Sequence, residues 1–510
     1  MSTSSKKILL AVVALLIAGA LGCYFFFIPG QEKKYEQNIA AFIKELPGDL
    51  AADAIKVNFL GNSAEIRGLR GTTQYLGNDI SVDLASLTLT GLNFNLGKET
   101  GVNKLADSLI IADASVKQST TVPGLPQPIT QDFTFKNFEL HNVRGDFNAV
   151  ADLLGDASLE RKMDIAATFS AGPVRLKDYV QTTNTALGAI IMRLASLEAQ
   201  ESSLLTAKNT VWEKMSLTAF NAEVMGIDRM TQASMKMPNI LAPLIEFMDM
   251  RREFDSMSAI FLEKIRQEPI EMRGLVIEGF RFQFMTPEPI TIGRLSMDLE
   301  ASADRLAFKK DIQGLILPPS IYGPMSLEAA LFSDFYAKSL DIDLNMDVVL
   351  THKSGAPVEI MINNAFIRDK NLASAQLRAN ILHTGDMQHV YGVFDSDGDI
   401  VLKSAELVLE DKNLVGAFLE AEFKTPQDRE NGEDQVSVAD LREQVAQSIA
   451  ILYAGEGEDQ TALREGLIKL IKAPGRLTIT SAPEAPVNLA TPEDDILNAL
   501  RLKVEYTPAN

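Results

Sequence analysis

"EIRGL" at residues 65–69 and "EMRGL" at residues 271–275 are nearly the same five letters, about two hundred residues apart, and each leads into an alternating apolar run. A period of two is the mark of a strand with one face buried. Glycine followed by a large apolar residue inside such a run relieves a bend or a bulge. The pair therefore reads as a repeated piece of shape rather than of chemistry, and it sets the fold expectation: long antiparallel sheets.

Outward from the first copy, "IKVNFLGNSAEIRGLRG" gives an extended run, a Gly-Asn turn and a second run, and "DISVDLASLTLTGLNFNLG" continues the alternation. "FTFKNFELHNVRGDFNAV" and "SLERKMDIAATFSAGPVRLKDY" extend the meander. From Leu187 to Met215, and again from Ile240 to Ile265, apolar residues recur at three- and four-residue steps, so two helical blocks are expected over or between sheets. The methionines from Met192 to Met272 read as flexible core fillers, ahead of a Met-lined groove.

Around the second copy the order returns. "ITIGRLSMDL" (290–299) matches "ISVDLASLTL" (80–89) with apolar residues at the first, third, eighth and tenth places, and "LVIEGFRF" echoes "LTLTGLNF". Internal duplication is the better account of this shared order, with chance alternation as the other. Asp-Lys-Asn-Leu occurs at 369–372 and at 411–414, and each copy is expected to turn one strand into the next, because Asp and Asn satisfy backbone groups locally. "PQDRENGEDQ" is a polar loop. Residues 436–475 then give two helices divided by Gly455–Asp459, and strands close the chain.

At the other end, Lys6 and Lys7 precede an uncharged apolar stretch at residues 8–28, close to the roughly 20 residues that cross a bilayer as a helix. This predicts a single transmembrane anchor, in preference to a cleaved signal or a lipid-modified Cys23, with Tyr35, Ile39, Phe42, Ile43 and Leu46 forming an amphipathic helix at the membrane exit. The fold class is then α+β, a single transmembrane helix followed by a β-rich ectodomain. Its parts are 1–29 tail and anchor, 30–54 exit helix and linker, 55–268 a β-rich unit with a helical block, and 269–510 a second β-rich unit with a helix pair.

Cys23 is the only cysteine, so the rest of the chain has no disulfide and no Cys-based metal site. A net charge of −20 with 46% hydrophobic residues describes a folded acidic protein and argues against nucleic acid as a partner. The four histidines are His141, His352, His383 and His389. His383 and His389 stand near Asp386, Asp395, Asp397 and Asp399, but the spacing suits turns better than ligands. The sequence contains no phosphate loop, His-Glu-x-x-His or Gly-x-Ser-x-Gly. No catalytic, cofactor-binding or metal-ligating residue is assigned.

One short tail, one span and a strand-rich ectodomain, with "ELVLEDKNLVGA", the helix pair and "APGRLTITSAPEAPVNL" (473–489), resemble the AsmA-like and YdgA-like envelope proteins of Gram-negative bacteria. The resemblance implies a protein of envelope maintenance and lipid handling, held in the bacterial inner membrane through residues 8–28 with its ectodomain in the periplasm. With no catalytic motif in the sequence a non-enzyme is expected, an enzyme with groups brought together from distant segments being the lesser alternative. From the alternation of large apolar residues, phospholipid or acyl chains are expected as partners, in an apolar groove walled by Ile80–Phe94 and Ile290–Leu299, besides the inner membrane itself and other envelope proteins. The alternative is a structural or assembly scaffold meeting other envelope proteins through packed sheets.

Overall fold

A computed structural model describes residues 32–45, 49–58, 60–75, 78–92, 101–120, 128–146, 159–186, 188–203, 205–237, 265, 268–283, 286–322, 339–353, 355–385, 390, 398–423, 437–452, 457–490 and 493–509. The chain divides into two compact units, Met1–Glu268 with Met272–Leu275, and Pro269–Glu271 with Val276–Asn510.

The first unit begins with helix α1 (Glu32–Glu45) and continues as β1 (Ala54–Asn58), β2 (Ser63–Tyr75), β3 (Asn78–Thr90), β4 (Val102–Thr120), β5 (Ile129–Asp146), helix α2 (Leu159–Thr168), β6 (Ser170–Ala171), β7 (Val174–Thr185), β8 (Gly188–Ala199), β9 (Glu201–Ser203), β10 (Thr206–Ala219) and β11 (Ala222–Lys236). All the pairings are antiparallel, in the order β1-β2-β3-β4-β5-β7-β8-β10-β11, with short β6 and β9 bridging at one side.

One level of this sheet explains its sequence. Inward residues of β3 are Ile80, Val82 and Leu84, then Leu87 and Leu89; in β4 they are Leu109 and Ile111, then Ala114 and Val116. From Leu84 to Leu87 in β3 and from Ile111 to Ala114 in β4 the inward residues are three apart, yet the register is the same on both sides of this level: Arg67↔Ser86 and Leu69↔Leu84, Ala112↔Asn137 and Ala114↔Phe135, Glu213↔Arg229 and Met215↔Ile227. The strands therefore kink together at one level instead of slipping. Gly68 (φ 60°), Asp113 (46°), Asp178 (52°) and Lys214 (51°) occupy that level in the left-handed region. These four residues lie on alternate strands, β2, β4, β7 and β10, and turn the pleat over there; β3 and β8 between them have no left-handed residue at this level but follow in register, with the same three-residue step. Gly274 of the second "RGL", at φ 62°, has the same conformation.

That level corrects the helix expected over Leu187–Met215, where the described residues form β8, β9 and β10. The step from Leu194 to Leu197 is the kink, not a helical face. The block expected at 240–265 lies outside the described residues except Ile265. Conversely, "LERKMDIAAT", expected as strand, is helix α2; it is built largely of good helix formers and buries Ile165.

Helix α1 lays Tyr35, Ile39 and Ile43 into a core with Ile66, Ile80, Val82, Leu84, Leu87 and Ile111. The groove wall expected at Ile80–Phe94 is thereby corrected: the inward side chains of β3 are 1–5% exposed within the core cluster that α1 joins, leaving no opening for an acyl chain, while Phe94 lies outside the described residues. The membrane assignment is corrected too. Among the described residues no helix is long and apolar enough to cross a membrane. The longest have 15 residues, against the roughly 20 that a span requires. The anchor expected at 8–28 lies outside the described residues, and the single-pass, inner-membrane and periplasmic placement has no support in the structure.

The second unit carries β13 (Ile290–Ala301), β14 (Arg305–Leu317), β15 (Leu340–Thr351), β16 (Val358–Asp369), β17 (Ala373–His383), β18 (Ile400–Asp411), helices α3 (Leu414–Phe423), α4 (Val438–Leu452) and α5 (Glu458–Lys472), β19 (Gly475–Ser481), β20 (Val487–Asn488), helix α6 (Glu493–Leu500) and β21 (Leu502–Pro508); β12 (Ile270–Phe282) straddles the division between units. From β13 to β19 and on to β21 each strand pairs antiparallel with the next, β20 adding to β18. Helix α5 packs on β19 and β21 through Gly466, where a Cβ would stand 2.5 Å from Val504 Cγ1 and 2.8 Å from Leu477 Cδ1.

The two Asp-Lys-Asn-Leu copies behave differently. Asp369 turns β16 into β17, its Oδ1 accepting the N–H of Asn371 (2.8 Å) and Leu372 (2.9 Å). The second copy, expected as another hairpin, ends β18 and starts α3, with Asp411 Oδ1 accepting Val415 N–H (3.2 Å). The residues after each copy account for the difference: "ASAQL" alternates, whereas "LVGAFLEAEF" is rich in helix formers. The copies also meet, since Leu372 O accepts the N–H groups of Lys412 (2.9 Å) and Asn413 (3.1 Å).

Candidate functional site

The sheet of the second unit has two unlike faces between β14 and β18. Register places Ile312, Leu344, Ile367, Ala375 and Leu409 in one row, and Lys310, Met346, Ala365, Leu377 and Leu407 in the next. Paired residues share a face, so the rows form an apolar surface. They run on to Leu477 and to Ile479 with Val504, which α5 covers. Over β15 and β16 the surface is open: Met346 is 45% exposed and Ile367 48%, whereas Ile312 at the β14 end of its row is buried. A shallow concavity of about 400 Å³ lies there, with the short side chains of Ala365 and Ala375 in its lining and Lys310 its one charged lining residue.

The opposite face is polar and bonded to itself. Gln313 Nε2 donates to Asp311 Oδ2 (2.6 Å), Asn345 Nδ2 to Asp311 Oδ1 (3.1 Å), Asn364 Nδ2 to Asn345 Oδ1 (2.8 Å) and Gln376 Nε2 to Asn364 Oδ1 (2.7 Å). This ladder crosses four strands. Beside it Asp343 Oδ2 accepts from Arg368 (2.5 Å) and its Oδ1 from Gly314 N–H (2.9 Å). The Arg368 hydrogen bond, helped by Gly314 N–H, holds the Asp343 carboxyl below the ordinary aspartate value. Groups spent on one another in this way are poor candidates for acid–base work.

The histidine–aspartate cluster is not assembled by the described residues. His383 is buried, its Nδ1 accepting Gly385 N–H (3.3 Å), and Asp399 Oδ2 accepts Asn488 Nδ2 (3.0 Å). His389, Asp386, Asp395 and Asp397 lie outside the described residues. His141 Nε2 lies 3.2 Å from Glu139 Oε2, and His352 is buried with neither ring nitrogen hydrogen-bonded. Among the described residues no group of three His, Cys, Asp or Glu could hold a metal ion. The wall expected at Ile290–Leu299 is half-buried β13, and the concavity lies on the strands after it. The sequence showed alternation at β14–β17 but not which rows would go uncovered.

Fold and site together define a long-stranded antiparallel sheet protein with a short helical layer over one end of its second unit. A model of a family described as "Uncharacterized protein" matches residues 362–506, well under half of the chain. No curated protein and no solved structure matches. The matched stretch contains "ELVLEDKNLVGA", the helix pair and residues 473–489, which carry the AsmA-like and YdgA-like resemblance, but gives that resemblance no support.

Proposed function

We propose that the protein is a non-catalytic scaffold whose second unit docks a partner protein on its open apolar sheet face. The observation that carries this reading is the exposure of Met346 and Ile367 in two apolar rows that the chain's own α5 covers a few strands away. Large apolar side chains exposed within a contiguous patch are what an interaction surface presents, whereas scattered ones need no explanation. The self-bonded polar ladder on the other face favours a structural role over catalysis there.

A photoreactive residue placed at Ile367 in the full chain in cells tests the proposal, with the exposed Asp178 position as control. A discrete protein adduct from position 367 and none from 178 supports it. Equal labelling from both positions, or none from 367, defeats it.

A further inference from the structure

Resting on that reading, we infer that the occupant of the open face is an amphipathic helix of another protein, with an acidic residue beside its apolar stripe to meet Lys310. The molecule itself shows how this surface is covered. Leu477 continues the row of Ile312, Leu344 and Ile367, and Val504 continues the row of Lys310 and Met346. Over that end lies a helix, α5, which turns Gly466 and Leu470 inward and Glu465 and Lys469 outward. The open end offers the same floor.

Size fits as well. Four strands from β14 to β17 span about 14 Å between their axes at the usual ~4.8 Å spacing, room for one helix of ~10 Å diameter. Ala365 lies between Met346 and Leu377, and Ala375 between Ile367 and Leu409, a low floor into which helical side chains can settle.

Charge chooses among occupants. The concavity is lined by one cation and no carboxylate, so covering it with an uncharged surface would leave Lys310 desolvated and unpaired. A second copy joined by two-fold symmetry would bring this same patch against itself, again with no acid to meet Lys310. A helix bearing Glu or Asp beside its stripe satisfies both requirements.

The experiment uses the full chain and two dye-labelled synthetic amphipathic helices, alike except for a Glu or a Lys beside the stripe, with binding read by anisotropy. The Glu helix is expected to bind more tightly than the Lys helix by about threefold, the size of one exposed ion pair. Met346→Glu should weaken both by at least about tenfold, and Lys310→Glu should reverse their order. Unchanged circular dichroism of the variants shows that the fold is kept. Equal binding of both helices, binding indifferent to Met346→Glu, or no binding overturns the helix. So does concentration-dependent dimerisation that Met346→Glu abolishes, which would make the occupant a second copy. If the helices fail while position 367 still crosslinks to a discrete protein, only the identity of the occupant falls; if both fail, the scaffold falls too.

Discussion

The backbone at single residues sets the shape of the first unit. At Gly68 the left-handed φ penalises a side chain, and an added Cβ would in addition overlap the neighbouring Asp53 carboxylate. Gly68→Ala should destabilise the protein by about 2 kcal/mol or more in urea titration, combining the conformational penalty with the clash. Gly101, also at positive φ but with open space around it, supplies the comparison, and Gly101→Ala should cost only about 1 kcal/mol. Equal losses would mean that the Asp53 contact is unimportant. Asp343 gives a prediction in pH. Its folded pKa lies below the ordinary 3.8, chiefly through the Arg368 hydrogen bond. Its contribution is thus complete above about that value and is lost as pH falls through the lower, folded value. Asp343→Asn should remove this part of the acid sensitivity, seen as a flatter stability–pH curve below pH 4; an unchanged curve would refute the assignment.

Among elements, the junction of β18, α3 and α4 carries a buried ion pair. Arg442 stands 3.7 Å from Asp411, both almost fully buried, and also donates to Ile471 O (2.6 Å). Asp411→Ala should destabilise by about 3–5 kcal/mol, since it strands the guanidinium and removes the acceptor of Val415 N–H. Asp411→Leu combined with Arg442→Met should recover much of the loss, because a packed apolar pair carries no desolvation penalty. A double variant no better than Asp411→Ala alone would show that the pair contributes more than charge balance. Helix α5 depends instead on close approach: Gly466→Leu should loosen it from β19 and β21, read as faster amide exchange in 458–472 with β14 unaffected.

For the whole molecule, the two units are built with different cores. The first has a large cluster that includes the inward side chains of α1, while a small buried cluster of the second, among the described residues, gathers around Leu350, Val358 and Val390. Trp212, the only tryptophan, is in β10 of the first unit. Denaturation followed by tryptophan fluorescence therefore reports the first unit, whereas circular dichroism reports both. The two transitions should not coincide, with part of the dichroism lost at lower denaturant than the fluorescence change. Superimposable curves would mean that the units unfold as one.

Sequence by itself determined that this is an antiparallel, strand-rich chain with a helix at 32–45 and a helix pair near its end, because alternation and helix propensity are local. The glycine of "EIRGL" was also legible as a bend. Only the tertiary structure decided that the bend belongs to a level shared by neighbouring strands, which is why Leu194, Leu197, Trp212 and Met215 mimic helical spacing while lying in strands. Only it decided that the apolar side chains of Ile80–Leu89 would be buried in the core that α1 joins while Met346 and Ile367 remained open. The two stretches have the same alternation, and the difference between them lies in what packs against each face. That depends on segments distant in sequence, which no local pattern of apolar residues encodes.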